Sequence, residues 1–306
     1  MSVVRPYQVV LLVVGVVAVS FAAIFIRIAD APALSTAFYR NAMAAALFLP
    51  LVVAQRNEVR RLSSRQLAIA FLSGALLAMH FATWIASLSF TTVAASVVLV
   101  TTSPIFVAAA SRVLFGERVG NTTFIGILIG LAGAAIVSGG DFGISKRAAA
   151  GDLLALAGAI TAAGYLLAGR RLRSEMSLFA YVGVVYTTCA VLLLPAAALG
   201  GRLTGFSGNT WFMFVLLAVI PQALGHTVFN YLLKDMDASL VAISIMGEPV
   251  GSTLLALAFF GEVPPLTAIV GGVLILIGIY VAVTKQPKSS IPPGPDLPAS
   301  SDATNT

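Results

Sequence analysis

Ten apolar runs dominate this chain, at 9–27, 34–54, 67–88, 93–115, 121–139, 151–169, 178–200, 210–233, 239–260 and 266–284. A helix needs about 20 residues to cross the hydrocarbon of a bilayer. Between the runs lie short breaks carrying charge, Pro, Gly or Asn. In lipid every backbone polar group must be paired within the protein, so only helices or closed barrels can span. The runs are too long and too unalternating for barrel strands. They predict an all-α polytopic membrane protein with ten transmembrane helices. The composition agrees, since only 10% of the 306 residues are charged, against about 25% in soluble domains. Cys189 is the single cysteine, which excludes a disulfide scaffold, and two histidines beside it make a poor zinc set. No cofactor or metal is called for.

The charges report orientation. Val9 to Phe25 is unbroken and long, so it reads as a retained first span rather than a cleaved signal peptide. With the N-terminus inside, the inner segments hold Arg5, Arg56, Arg60, Arg61, Arg65, Arg112, Arg118, Arg170, Arg171, Arg173, Lys234, Lys285 and Lys288. The outer segments hold Arg27, Lys146, Arg147 and Arg202, and Arg40 lies within a span. That asymmetry predicts a protein of the cytoplasmic membrane with both termini cytoplasmic. It also accounts for the net charge of +6 without a nucleic-acid partner. The Pro- and Ser-rich stretch 286–306 is expected to be a disordered cytoplasmic tail.

The chain also repeats itself. Phe115-Gly116-Glu117 and Phe260-Gly261-Glu262 are 145 positions apart, and so are Pro104 and Pro249, Gly126 and Gly271, Gly133 and Gly278, and Pro50 and Pro195. Five spans per unit is an odd number, so the second unit enters the membrane from the opposite side. The expectation is two inverted five-helix repeats, 1–145 and 146–285, enclosing a cavity near the midplane. Exchange of conformation between the halves would open it to each side in turn.

Ala37-Phe38-Tyr39-Arg40, Ser103-Pro104 with Phe115-Gly116-Glu117, and Glu248-Pro249 with Phe260-Gly261-Glu262 give the chain a family likeness. It resembles the drug/metabolite transporter superfamily, EamA type, over about residues 9–284. Ser20-Phe21 departs from the Trp-Gly pair often found in that family's first helix. The resemblance implies a ten-helix carrier, of a kind that often exports amino acids or other small metabolites.

Candidate site residues follow from polar groups within spans. Glu248 sits about midway along the ninth run, where a carboxylate costs roughly 2.5–3.5 kcal/mol on insertion scales. It reads as a proton carrier or partner for a substrate amine, or else as a structural glutamate beside a kink. Its repeat-mate is Ser103. Arg40 keeps its charge, so it contacts a carboxylate, forms a structural ion pair, or snorkels to the interface. His80 and Trp84 are four apart on one helix face, and His226 and Asn230 repeat that spacing in the eighth span. They read as cavity lining, or as interhelical hydrogen bonds. Gln222, Tyr39 and Tyr165 are further lining candidates. Pro104, Pro221 and Pro249 are mid-span and read as kinks serving as hinges. Gly126 to Gly130 and Gly271 to Gly278 permit close helix approach within the bundle or between copies. Glu117 and Glu262 read as interface anchors. Gly139 to Gly143 lacks the Lys-Ser/Thr of a nucleotide loop and reads as a turn.

The reading is a secondary transporter, not an enzyme, moving a small polar or amphipathic metabolite, with amino acid export the first specific expectation. Coupling is to protons or by exchange, and the protein is a monomer or homodimer in the lipid bilayer. The alternatives are an intramembrane enzyme, which would need a matched nucleophile and base, and a passive channel.

Overall fold

The computed structural model describes residues 4–87, 89–91, 96, 99–116, 119–137 and 146–284. The expectations for Glu117, for the turn at 139–143 and for the tail 286–306 lie outside the described residues, as do Arg118, Lys285 and Lys288. The helices are α1 (Pro6–Ala29), α2 (Ala33–Ala54), the short α3 (Arg56–Arg61), α4 (Ser64–Ser87), α5 (Ser103–Phe115), α6 (Asn121–Val137), α7 (Lys146–Arg173) and α8 (Leu178–Gly200). Then come α9 (Gly208–Leu232, with a π stretch at Ala218–His226), α10 (Ala238–Ile245), α11 (Glu248–Phe260) and α12 (Leu266–Thr284). Eight spans are long and apolar enough to cross a membrane, α10 and α11 together making one of them. The shorter apolar helices α5 and α6 bring the set to ten. No strand occurs among the described residues.

Local chemistry sets the helix ends. Ser177 and Ser207 cap α8 and α9, each hydroxyl accepting the backbone N–H three residues on. The repeated Phe-Gly-Glu triplet is a stop signal. Gly116 and Gly261 occupy the C-cap positions of α5 and α11 with φ of 66° and 68°. In that left-handed region a side chain is strained, so glycine ends both helices at equivalent places. Helix starts keep the same offset, since Ala33 and Leu178, Ser103 and Glu248, and Asn121 and Leu266 are each 145 apart.

Packing carries the symmetry into three dimensions. α6 packs on α12 and α2 on α8, each helix against its own counterpart. α4 packs on α7 as α9 packs on α1, and α5 on α7 as α11 on α1. The α6–α12 contact is reciprocal. A Cβ on Gly126 would lie 2.5 Å from the Gly278 carbonyl oxygen, and one on Gly133 would lie 2.5 Å from that of Gly271. Because Gly126 corresponds to Gly271 and Gly133 to Gly278, the pairs exchange under a two-fold axis between the helices. The small-residue stretches therefore serve packing within the chain. Gly126→Val should lower the thermal midpoint of the purified protein, since overpacking costs about 1–3 kcal/mol. Gly208→Ala, where an added Cβ meets nothing within 4 Å, should leave it unchanged.

The outside of the bundle is apolar in stripes. Val10, Val13 and Val17 on α1, and Ile269, Val273, Leu276 and Tyr280 on α12, are exposed at helical spacing. Large exposed aliphatic stripes do not survive on soluble monomers but suit a face turned to lipid. The largest buried cluster lies among α2, α4, α7, α8 and α9, with Leu77, Phe81, Tyr181, Tyr186 and Phe229 fully enclosed.

Candidate functional site

Two broken helices frame the site. α10 stops at Ile245, a turn at Met246–Gly247 follows, and α11 begins at Glu248. In the first half a turn at Thr101–Thr102 likewise precedes α5 at Ser103. Pro104 and Pro249 fall in the first turn of the second segment. There a missing N–H costs nothing, because that donor has no helical partner anyway. The expected kinks at Pro104 and Pro249 are thus helix starts, and Glu248 opens a helix rather than sitting mid-helix. A carboxylate there also faces the positive end of the α11 dipole. Pro221 does lie inside a helix, within the π stretch. Such wide turns recur where a proline or a functional side chain interrupts the α ladder.

Between these elements lies a cavity of about 810 Å³. Its floor is formed by the buried Tyr165, Leu166 and Phe229, and its mouth by Arg27, Phe260, Glu262 and Pro264. Of the residues singled out from sequence, Glu248, Arg40, His80, Trp84, His226, Tyr165, Ser103 and Pro249 all line it. They arrive from α2, α4, α5, α7, α9 and α11, so only the assembled bundle brings them together.

Arg40 does not snorkel. It is 2% exposed, its Nε donates to Gln222 Oε1 at 2.6 Å, and its guanidinium carbon lies 4.4 Å from the centre of the Phe81 ring. Among the described residues no carboxylate lies within 4.0 Å of it. One neutral acceptor and one ring compensate a buried cation only in part. Among the described residues its remaining nitrogens have no hydrogen-bond partner, and the side chain lines the cavity. Glu248 attracts Arg40 electrostatically without touching it. A cation and a carboxylate therefore stand in one cavity with space between them.

The imidazoles are held by their surroundings. His80 Nδ1 lies 3.0 Å from the Gly158 carbonyl oxygen, a bond that assigns the proton to Nδ1 and leaves Nε2 as an acceptor. Its ring stacks on Trp84, centroids 6.0 Å apart. His226 meets the edge of Phe81 at 5.7 Å. Phe81 thus contacts both Arg40 and His226, a role that nothing in its sequence surroundings announces. Ser252 and Thr253 also line the cavity. Ser252 could have been found, because it follows Glu248 by four residues on the same helix face.

Three candidates lie elsewhere. Tyr39 turns away from the cavity, as a residue next to Arg40 on a helix must. Its hydroxyl donates to the Leu203 carbonyl at 2.5 Å, and its ring packs among Phe206, Trp211 and Phe214. Gln222 is fully buried behind Arg40 and reaches the cavity only through it. Asn230 lies a turn past His226, below the floor, where its Nδ2 donates to Tyr165 Oη at 2.6 Å. Glu262 pairs with Arg27 at 2.5 Å on the rim. Both are half-exposed, so the pair contributes about 0–1 kcal/mol.

This arrangement suits binding and release of an amphipathic molecule carrying both charges. The profile of the EamA-like transporter family matches residues 7–139 and again 149–284. An uncharacterized transporter of Archaeoglobus fulgidus is 24% identical over 274 residues, covering 87% of this chain and 93% of its own. A probable terminal-alkyne amino-acid exporter of Streptantibioticus cattleyicolor is 26% identical over 188 residues, 60% of this chain and 61% of its own. A solved crystal structure superposes with a TM-score of 0.77 over 91% of this chain and 97% of its own, at 22% identity. That last likeness speaks for the fold alone. Matched in both halves, the chain belongs to the EamA-like transporter family and is a multi-pass membrane transporter.

Proposed function

We propose that the protein is a secondary carrier of the cytoplasmic membrane that exports a small zwitterionic or amphipathic metabolite, amino acids first among them, by alternating access. One observation supports this most directly. Arg40 and Glu248 line the same cavity of a membrane-spanning bundle without being paired to each other. A carboxylate on Arg40 and an amine toward Glu248 would satisfy both, while Phe229, Trp84, Ile24 and Phe260 receive the apolar remainder. The amino-acid exporter among its relatives supports the same substrate class. The halves 1–145 and 146–285 are the units that exchange conformation, with Pro104, Pro221 and Pro249 at the points where spans are interrupted. With both termini in the cytoplasm, as the distribution of Lys and Arg supports, the mouth at Arg27 and Glu262 faces outward.

The test is counterflow in proteoliposomes with a metabolite panel. Saturable exchange confined to zwitterionic, partly apolar compounds is the expected result. Flux without saturation or counterflow would make the protein a channel. Chemical turnover of a lipid or peptide without vectorial flux would make it an enzyme.

A further inference from the structure

Beneath the cavity floor the end of α7 is fastened to the end of α9 and the turn that follows. Asn230 donates to Tyr165 Oη at 2.6 Å, with both side chains buried. Arg173 donates from Nε to the Asn230 carbonyl at 3.1 Å and from Nη1 to that of Met176. Arg170 Nη1 reaches the carbonyls of Leu233 and Lys234, each at 3.1 Å. The acceptors at Asn230, Leu233 and Lys234 are carbonyls that the end of α9 leaves unpaired, and bonds from a charged donor are the stronger kind.

The internal symmetry names the groups that should answer these at the other end of the molecule. Tyr165, Arg170, Arg173 and Asn230 correspond, 145 positions earlier, to Ser20, Phe25, Ile28 and Ile85. Phe25, Ile28 and Ile85 have no side-chain donor, so no equivalent set of bonds can form. The packing differs in the same sense. The last turns of α9 pack on α7, whereas the counterpart turns of α4 make no comparable packing on α1 among the described residues. The connection after α4 is tied to α7 instead. Arg147 Nη2 donates to the Ser89 carbonyl at 3.0 Å, and Thr91 Oγ1 to Asp152 Oδ1 at 2.8 Å.

We propose that the Tyr165–Asn230–Arg173–Arg170 latch makes the closed-floor, open-mouth arrangement the resting state of the unloaded protein, and that its rupture is the step that turns the cavity to the opposite side. This rests on the alternating-access reading above. The equivalent positions Phe25, Ile28 and Ile85 supply no such donors to the mirror-image state, so the two states are unequal in free energy even though the fold is pseudo-symmetric.

Thiol accessibility tests this in a Cys189→Ala background. Leu233→Cys reports beneath the floor, where the native side chain is fully buried. Thr253→Cys reports on the cavity wall. A membrane-impermeant maleimide is applied to proteoliposomes from each side. In the parent, Thr253→Cys should label from the mouth side and Leu233→Cys should stay protected. Adding Asn230→Ile with Arg173→Ile, which copies the other half, should raise Leu233→Cys labelling about tenfold and lower that of Thr253→Cys. Arg170→Gln, a milder change, should move both reporters in the same directions. A rise beneath the floor with no fall on the wall would mean local loosening and would overturn the proposal, as would no change at either. Labelling needs no substrate. If no metabolite supports counterflow but the reciprocal shift is seen, the latch stands and the substrate reading fails.

Discussion

Arg40→Lys should cripple saturable counterflow although it keeps the positive charge. The guanidinium is held by its Nε bond to Gln222 and by the Phe81 ring. Lysine has a single head group. It can satisfy Gln222 or face the cavity, but it cannot do both with a fixed, forked edge. Breaking one side of a buried charge contact costs about 2–5 kcal/mol, so the rate at low substrate should fall roughly 100-fold or more. The informative comparison pairs a zwitterion with its decarboxylated amine. The wild-type preference for the zwitterion should vanish in Arg40→Lys and in Arg40→Met. Gln222→Leu should raise KM with little change in maximal rate, because it loosens the guanidinium without removing it. Retention of wild-type discrimination by Arg40→Lys would take Arg40 out of substrate recognition.

Glu248→Gln is expected to make transport indifferent to an imposed pH gradient while leaving the protein folded. The exchange keeps size and shape at the first position of α11, and the neighbouring turn keeps its contacts, because Ser20 Oγ bonds the backbone carbonyl of Glu248 rather than its side chain. Only the capacity to gain and lose a proton disappears. If the carrier couples to protons, wild-type flux should change about tenfold or more between opposite gradients, and Glu248→Gln should show none of that response. Flux measured in both gradient directions decides the matter. A variant that still follows the gradient would remove Glu248 from coupling. If wild-type flux itself ignores the gradient, exchange is the mode, and Glu248→Gln should act on affinity for the substrate amine.

Much of the architecture is legible in the sequence. Apolar length requires spans, because a backbone in lipid has no other way to pair its polar groups. The 145-residue offset predicted equivalent helices, and the offset survives in the helix starts and in the glycine caps at Gly116 and Gly261. The site candidates were visible for a similar reason. A polar group within an apolar run is conspicuous, which is why Glu248, Arg40, His80 and His226 stand out. Phe81 does not, since one more aromatic ring in a membrane helix carries no signal until Arg40 and His226 are seen against it. Tyr39, Gln222 and Asn230 were equally conspicuous and yet do not line the cavity. Each has its partner elsewhere, in Leu203, Arg40 and Tyr165.

By itself the sequence determined the number of spans, their repetition and the small set of polar groups they carry. Those properties are one-dimensional, set by run length and residue type. Tertiary structure alone decided which of those groups face the cavity, which stand behind its wall and which fasten its floor. Helices distant in sequence converge on the same 810 Å³, and the direction of each side chain depends on helix breaks, a π turn and packing against neighbours that no local pattern encodes. The polar bonds beneath the floor, for which the equivalent positions Phe25, Ile28 and Ile85 offer no donors, belong to the same class of fact, since they exist only once α7 and α9 have met.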